Sequence, residues 1–446
     1  MNEQRDAQVI VIGAGIAGLT AAWQLKKAGV QVLVLEAEPL VGGRMQSIQV
    51  DDALIDCGAQ FLSSAYSVIP KLIKEMGLTD QLIPTTPWAG LVNNNGIALV
   101  HPKKPWLLVF HRILSIGSVF RLLFNQVRLF NFRKKSFALN DITRWTQYDN
   151  QSAAHWVMQY FGEPVARELT SAIFNGFYFQ SLSDSSAAMV AAVLAFSAHN
   201  PLTMALMTGM GSLPKKLADQ LDVKTGVSVS SIFDDGPCMK VTSSVGEFSA
   251  DHVIVAVPAP IAKNIIQQSD EQTSLLFGTP YSSSIVISLL THPNWLPPPK
   301  IASAYGFLVN PNVNSKIAAL TIENNKCHTR KKQGYLINIM LSDQCAKKLM
   351  HLTDEEICVE IQVDVESILP AIYANLHGKK ICRWPYAMPC TPIGRAKAVK
   401  EYRDTRNKNH KIWMAGDYLG FPWTDSAAQT GLWAADQVIQ AMKNGK

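Results

Sequence analysis

Four apolar residues in a row, Val9 to Ile12, mark a strand buried on both faces. A glycine-rich stretch follows at 13–18. Positions 19–27 then carry helical spacing, Ala28-Gly29 ends it, and 31–35 (QVLVL) returns to strand. Strand, glycine turn, helix, strand is half of a doubly wound fold. A short amphipathic helix is predicted at 70–78, and the Ala- and aromatic-rich stretch 151–196 reads as several helices. From 221 the pattern shortens into strands ("VKTGVSVSSI", "MKVTSS", "EFSADHVIVAVP"), and 282–342 mixes strands with Pro-rich and Asn-rich loops. "LTDEEICVEIQVDVESIL" is a helix, with Thr353 as N-cap and Glu356 three residues on. There is no internal repeat and no apolar run near the roughly 20 residues that span a bilayer.

One segment breaks the usual amphipathic rule. Helical spacing over 118–128 puts Ser118, Arg121, Asn125 and Arg128 on one narrow stripe, while Val119, Phe120, Leu122, Leu123, Phe124 and Val127 cover most of the remainder. The surrounding run, 81–140, has no Asp or Glu but carries Lys103, Lys104, Arg112, Arg121, Arg128, Arg133, Lys134 and Lys135. Two readings compete. In one, residues 100–135 rest on an anionic lipid surface, each cation contributing about 1 kcal/mol; in the other, the helix is core and its arginines reach solvent or an acidic helix.

Composition narrows the class. With 446 residues, 48% hydrophobic and 17% charged, the chain suits two globular domains, or one large domain with insertions. A net charge of +6 is too small at this size to argue for nucleic acid as a partner. Seven scattered cysteines without a C-x-x-C pair suggest reduced thiols and no metal, and "MNEQRDAQ" lacks the features of an export signal. A cytoplasmic protein is expected, peripheral on the inner face of the membrane if the lipid reading of 100–135 holds.

The chemistry begins at the first turn. Gly13, Gly15 and Gly18 form G-x-G-x-x-G between strand and helix, with Ala14 and Ala17 among them, and Glu36 follows 36 − 13 = 23 residues after the first glycine. Small residues here let a pyrophosphate approach the backbone, the helix N-terminus faces its charge, and Glu36 would accept from ribose hydroxyls. NAD, FAD or another nucleotide all remain open at this point. Next come a second glycine pair with a cation, Gly42-Gly43-Arg44, and Asp56-Cys57-Gly58-Ala59-Gln60-Phe61.

This second turn resembles the FAD-binding start of the flavin amine oxidase superfamily, and the likeness runs through the chain. "MTGMGSLPKKLADQL" with "VSVSSI" is similar to the family's loop, helix and adenine-contacting strand, with Val229 at the matching position. "KIWMAGDYLGFPWTDSAAQTGLWAADQVI" resembles its closing motif, which implies Gly416 and Asp417 at the ribityl chain and a helix opened by Ala427 and Ala428 facing the flavin ring. The fold implied is α/β: an FAD-binding Rossmann-like domain of the glutathione-reductase type (1–84, 208–265 and 389–446), with a substrate domain that is helical over 85–207 and mixed sheet over 266–388.

Among the members, monoamine and polyamine oxidases place a lysine on a substrate-domain strand and an aromatic cage over the flavin. "SSSIVISLLTHPNW" carries no lysine before His292, and the cage positions offer Trp423 and an aliphatic Ile393. "SAAHWVMQYFGEPVARELTSAIFNGFYFQSLSDSSAAM", "ILSIGSVFRLLF" and "RWPYAMPCTPIG" look closer to protoporphyrinogen oxidases and phytoene desaturases. The implied function is FAD-dependent removal of hydride from an apolar or amphipathic substrate, with oxygen or a quinone as acceptor. Phe61, Trp384, Tyr386 and Trp423 are expected to line the substrate cavity. The alternatives are an amine oxidase releasing hydrogen peroxide and a non-catalytic FAD-stabilised binding protein. The oligomeric state is left open.

Overall fold

The Val9–Ile12 strand pairs in parallel with Val32–Leu35 on one side and His252–Val255 on the other, and Asp222–Lys224 and Ile412–Met414 complete a five-stranded sheet. Its central strands are buried throughout, as a parallel sheet covered on both faces requires. The Ile16–Lys27 helix crosses between the first two strands and packs closely on the last helix, Thr424–Asn444. A Cβ on Gly431 would lie 2.1 Å from the Ala17 carbonyl oxygen, so this crossing admits no side chain there. The computed structural model describes residues 5–130, 140–197, 201–407 and 409–444; side chains of 126–130 and 444, and with them Arg128, lie outside that description, as do Arg133, Lys134 and Lys135.

The largest sheet has seven strands, in the order Leu376–Pro389, Tyr281–Thr291, Leu336–Leu341, Ile317–Ile322, Gly306–Val309, Ala89–Asn93, Gly96–Val100. Only the pair Gly306–Val309 with Ala89–Asn93 is parallel among these neighbours. Tyr281–Thr291 is buried at every position, and the Asp354–Ile368 helix inserts Ile357, Ile361, Val365 and Ile368 into one core with residues of this sheet. The expected capping box is present, Thr353 and Glu356 bonding each other's backbone amides. Helices Ala153–Phe161, Ser171–Tyr178 and Ala187–Ser197 fill the predicted helical stretch, the first two joined through a wider π-type turn, Val165–Thr170.

The segment predicted at 118–128 is helical over Ile116–Phe130. Arg121, itself exposed, donates to the carbonyls of Gln159 (2.7 Å) and Tyr160 (2.9 Å), and the buried Asn125 donates to Tyr160 at 2.8 Å. These carbonyls end the Ala153–Phe161 helix, where acceptors lack intrahelical donors. Arg121 therefore caps a helix and meets no acidic partner among the described residues. Val119 and Leu122 are buried beside it, whereas Ile116, Phe120 and Phe124, spaced by four, face outward at 65%, 71% and 66% exposure. Ile116 and Phe120, together with Trp106 and Phe110 of the Trp106–Phe110 helix, line an apolar groove of about 530 Å³. Among the described residues no helix is long and apolar enough to cross a membrane.

Candidate active site

The two glycine turns stack on each other. Gly13 adopts φ +100°, and a Cβ there would come within 2.8 Å of the Ala256 carbonyl oxygen. A Cβ on Gly18 would lie 2.0 Å from the Gly13 oxygen, so the third glycine is what lets helix and strand touch. Gly15 differs, because the space its side chain would occupy is open. No side chain caps the helix here, and the Ala17 and Gly18 amides have no partner among the described residues. Gly42 donates to the Ala14 carbonyl at 2.8 Å, and Gly43, at φ +52°, faces Gly15. An open cradle lined by free amides and two glycine turns fits a pyrophosphate.

Glu36 closes the far end. Its carboxylate accepts from Ala14 N at 2.6 Å and Glu38 N at 2.9 Å; burial raises its pKa above the ordinary value, and these amides only partly offset that. The loop that zips onto it does so through Gly226 N to Glu38 O and Val227 N to Glu36 O at 2.8 Å. Val227, two residues before the expected Val229, is thus the valine bonded to this segment, while Val229 opens the Val229–Asp234 strand.

Arg44 of the second glycine turn and Asp417, expected at the ribityl chain, are brought together. Arg44 makes a bidentate pair with the Asp417 carboxylate at 2.7 and 2.9 Å and also donates to the Ala387 carbonyl at 2.8 Å. Ala59 N donates to the Arg44 carbonyl at 2.7 Å, and a Cβ on Gly58 would collide with that oxygen at 2.3 Å. Gly416, at φ +142°, donates to Thr430 Oγ1, which ties the turn to the last helix. That helix begins at Thr424, three residues before the expected start: Ala427 N already bonds Trp423 O, so the free amides belong to 424–426. The buried Oε1 of Gln429 on the same helix has no hydrogen-bond partner among the described residues.

The aromatic candidates divide. Trp384 and Tyr386 stand two apart on the Leu376–Pro389 strand; the Trp384 indole donates to the Cys57 carbonyl at 2.7 Å, and Tyr386 meets Tyr281 edge-on at 5.6 Å. Phe61 packs edge-on against Phe177 at 5.7 Å. Trp423 stacks on Phe421 at 4.8 Å and donates to Asn140 at 2.6 Å, and Ile393 is exposed. Arg395, which no motif had marked, is buried near Tyr281, Tyr418, Asp149 and Asp417; burial lowers its pKa to about 10.

A second unmarked group lies beneath Gln60. The side chains of Asp56, Glu323, Lys326 and Arg330 are fully enclosed. Asp56 accepts from Ser47 Oγ, Met210 N and Lys326 Nζ, and pairs with Arg330 at 3.1 Å. Burial alone would raise the Asp56 pKa, but the charges of Lys326 and Arg330 overcome it and hold the carboxyl below its ordinary range. No spacing in the sequence joins positions 270 apart, so only the fold reveals this cluster.

Comparison with known proteins agrees with this geometry. Residues 16–439 match the family described as flavin containing amine oxidoreductase. The chain is 30% identical to protoporphyrinogen oxidase 2 of Arabidopsis thaliana over 170 residues, which is 38% of this chain and only 32% of that protein. It is 22% identical to coproporphyrinogen III oxidase of Bacillus subtilis over 451 aligned positions, 92% of this chain and 93% of the other. Cyclohexylamine oxidase from Brevibacterium oxydans has a similar fold, with TM-score 0.76 at 18% identity over 98% of this chain and all of that one. The open glycine cradle fits the FAD that this family carries, and the chain belongs to the flavin containing amine oxidoreductase family as an FAD-dependent oxidoreductase.

Proposed function

We propose that the substrate is a reduced tetrapyrrole of the porphyrinogen class, an amphipathic molecule with an apolar ring and carboxylate arms. The observation that carries this is the end-to-end alignment with a coproporphyrinogen III oxidase, which includes the substrate-domain sheet as well as the cofactor turns. The buried Tyr281–Thr291 strand supports it, since it has serine and aliphatic side chains and no lysine, leaving nothing there to serve an amine. FAD, when bound, takes up hydride from the substrate and passes the electrons on to oxygen or a quinone. Gly13, Gly15, Gly18, Gly43 and Glu36 would hold its dinucleotide end, the 424–426 amides would face the ring, and the loop Gly58 to Gln60 would border it. Phe61, Trp384 and Tyr386 would exclude water from the reacting carbon.

The same reading extends to a lipid surface. The outward face of Ile116, Phe120 and Phe124, the apolar groove beside it, and the exposed cations Lys103 and Arg112 form a patch suited to the headgroup boundary of an anionic leaflet. A substrate with an apolar ring partitions into that layer.

The test is anaerobic: the oxidised-flavin absorbance band is followed while coproporphyrinogen III, protoporphyrinogen IX and a panel of amines are added separately. Rapid bleaching by a porphyrinogen is expected. Bleaching by amines alone would overturn the proposal in favour of an amine oxidase.

A further inference from the structure

Lys326 is an unusual place to find an ammonium group. Its side chain has no exposure; it donates to Asp56 Oδ2 (2.9 Å) and the Gln60 carbonyl (2.9 Å) and makes an ion pair with the Glu323 carboxylate. Glu323 takes a further bond from Thr321 Oγ1 at 2.7 Å, and Arg330 spans from Asp56 to the Leu206 carbonyl at 2.8 Å. Two anions and two cations cancel, so the cluster is neutral as a whole.

Gln60 is held from every side. Its carbonyl accepts from Lys326 and from the Tyr305 hydroxyl at 3.3 Å, and its side-chain amide donates back to the carbonyls of Asp56 and Gly58. Its Oε1 accepts from Asn338 at 2.9 Å, and Asn338 in turn accepts from Ser288 on the central strand. Four residues outside it, Lys326, Tyr305, Asp56 and Asn338, thus fix one short loop. Stability alone does not explain the arrangement, because a buried ion pair contributes little beyond what apolar side chains of the same volume would. An apolar core made of Ala53, Ile55, Leu290 and Leu336 exists elsewhere along the same joint.

We infer that Lys326 is a positioning residue: through the Gln60 carbonyl and Asp56 it locks the Gly58-Ala59-Gln60 loop, laid against Arg44, in the conformation that receives the flavin. The inference rests on the reading that this loop borders the ring. Lys331 is the natural control. It too is buried, but it bonds Asp52 and His377 at the far end of the hairpin and does not touch Gln60.

The experiment heats each holoenzyme and records, in parallel, the appearance of free-flavin fluorescence and the loss of helical circular dichroism. In the parent protein and in Lys331→Met the two transitions coincide, even where the variant melts earlier. In Lys326→Met flavin leaves below the unfolding transition, FAD binds about tenfold more weakly, as loss of one bond from a charged donor implies, and Lys326→Arg recovers much of both. Should Lys326→Met fail to fold, Asn338→Ala, which alters no charge and frees the Gln60 side chain, is read instead: flavin release below its unfolding transition supports the locked loop, and coincident transitions overturn it. Coincident transitions in Lys326→Met, or equal separation in Lys331→Met, would overturn the inference. A Gln60→Leu variant with unchanged spectrum and affinity would instead remove the placement of the loop at the flavin, and the inference with it.

Discussion

Replacing Arg44 by methionine isolates the tie between the second glycine turn and the closing turn. The Asp417 side chain is only 6% exposed and its carboxylate is bonded by Arg44 alone among the described side chains, so the substitution strands a buried charge. Removing one partner of a fully buried pair costs about 3–5 kcal/mol. Arg44 is 30% exposed, which lets water reach the vacated position and places the expected loss at the low end, about 3 kcal/mol. Removing both partners avoids the stranded charge, so Arg44→Met/Asp417→Leu should be more stable than Arg44→Met alone despite carrying two substitutions. Urea unfolding followed by tryptophan fluorescence on the four proteins of the cycle measures this directly, provided each is saturated with FAD. A double variant whose loss equals the sum of the two single losses would refute the reasoning, since it would mean the pair is not coupled.

Three further outcomes are expected. Gly18→Ala, whose methyl would sit 2.0 Å from the Gly13 oxygen, should purify without flavin colour; a yellow protein with normal FAD content would mean that helix and strand can separate there at little cost. Phe120→Asp/Phe124→Asp should abolish flotation with anionic vesicles yet shift stability by no more than about 0.5 kcal/mol per site, because both rings already face outward; unchanged flotation would remove the lipid surface from the proposal. The folded-state pKa of Glu36 lies above its ordinary 4.5, so FAD-free protein should lose stability relative to Glu36→Gln as pH rises from about 4.5 through the raised value; parallel pH profiles would show that the buried carboxylate carries no such penalty.

What could be read from the chain depended on how local the constraint is. The glycine turns were legible because a close approach of backbones leaves only one residue type, and Gly13, Gly18, Gly42 and Gly43 each meet a conformation or contact that a side chain would disturb. The capping box at Thr353 was legible for the same reason. Pairings across the fold were not. Asp56 and Lys326 are 270 positions apart, Arg44 and Asp417 are 373 apart, and nothing near either partner announces the other. The last helix illustrates a smaller failure, since small residues continue from Ser426 to Ala428 and the pattern cannot mark Thr424 as the start.

The Ile116–Phe130 helix shows why periodicity alone leaves orientation undetermined. Its polar stripe was found correctly, but a stripe has no sign: Arg121 and Asn125 would look the same facing water or facing another helix. The deciding feature was the end of the Ala153–Phe161 helix, whose carbonyls needed donors that the helix itself could not supply. Once Arg121 and Asn125 meet that need, the rotation of the helix is set, and Phe120 and Phe124 are carried outward as a consequence. Turning that apolar face inward would take the Arg121 and Asn125 donors away from the Gln159 and Tyr160 carbonyls, so these contacts favour the orientation observed. Ile116, Phe120 and Phe124 thereby face outward, and the lipid surface proposed above rests on that orientation.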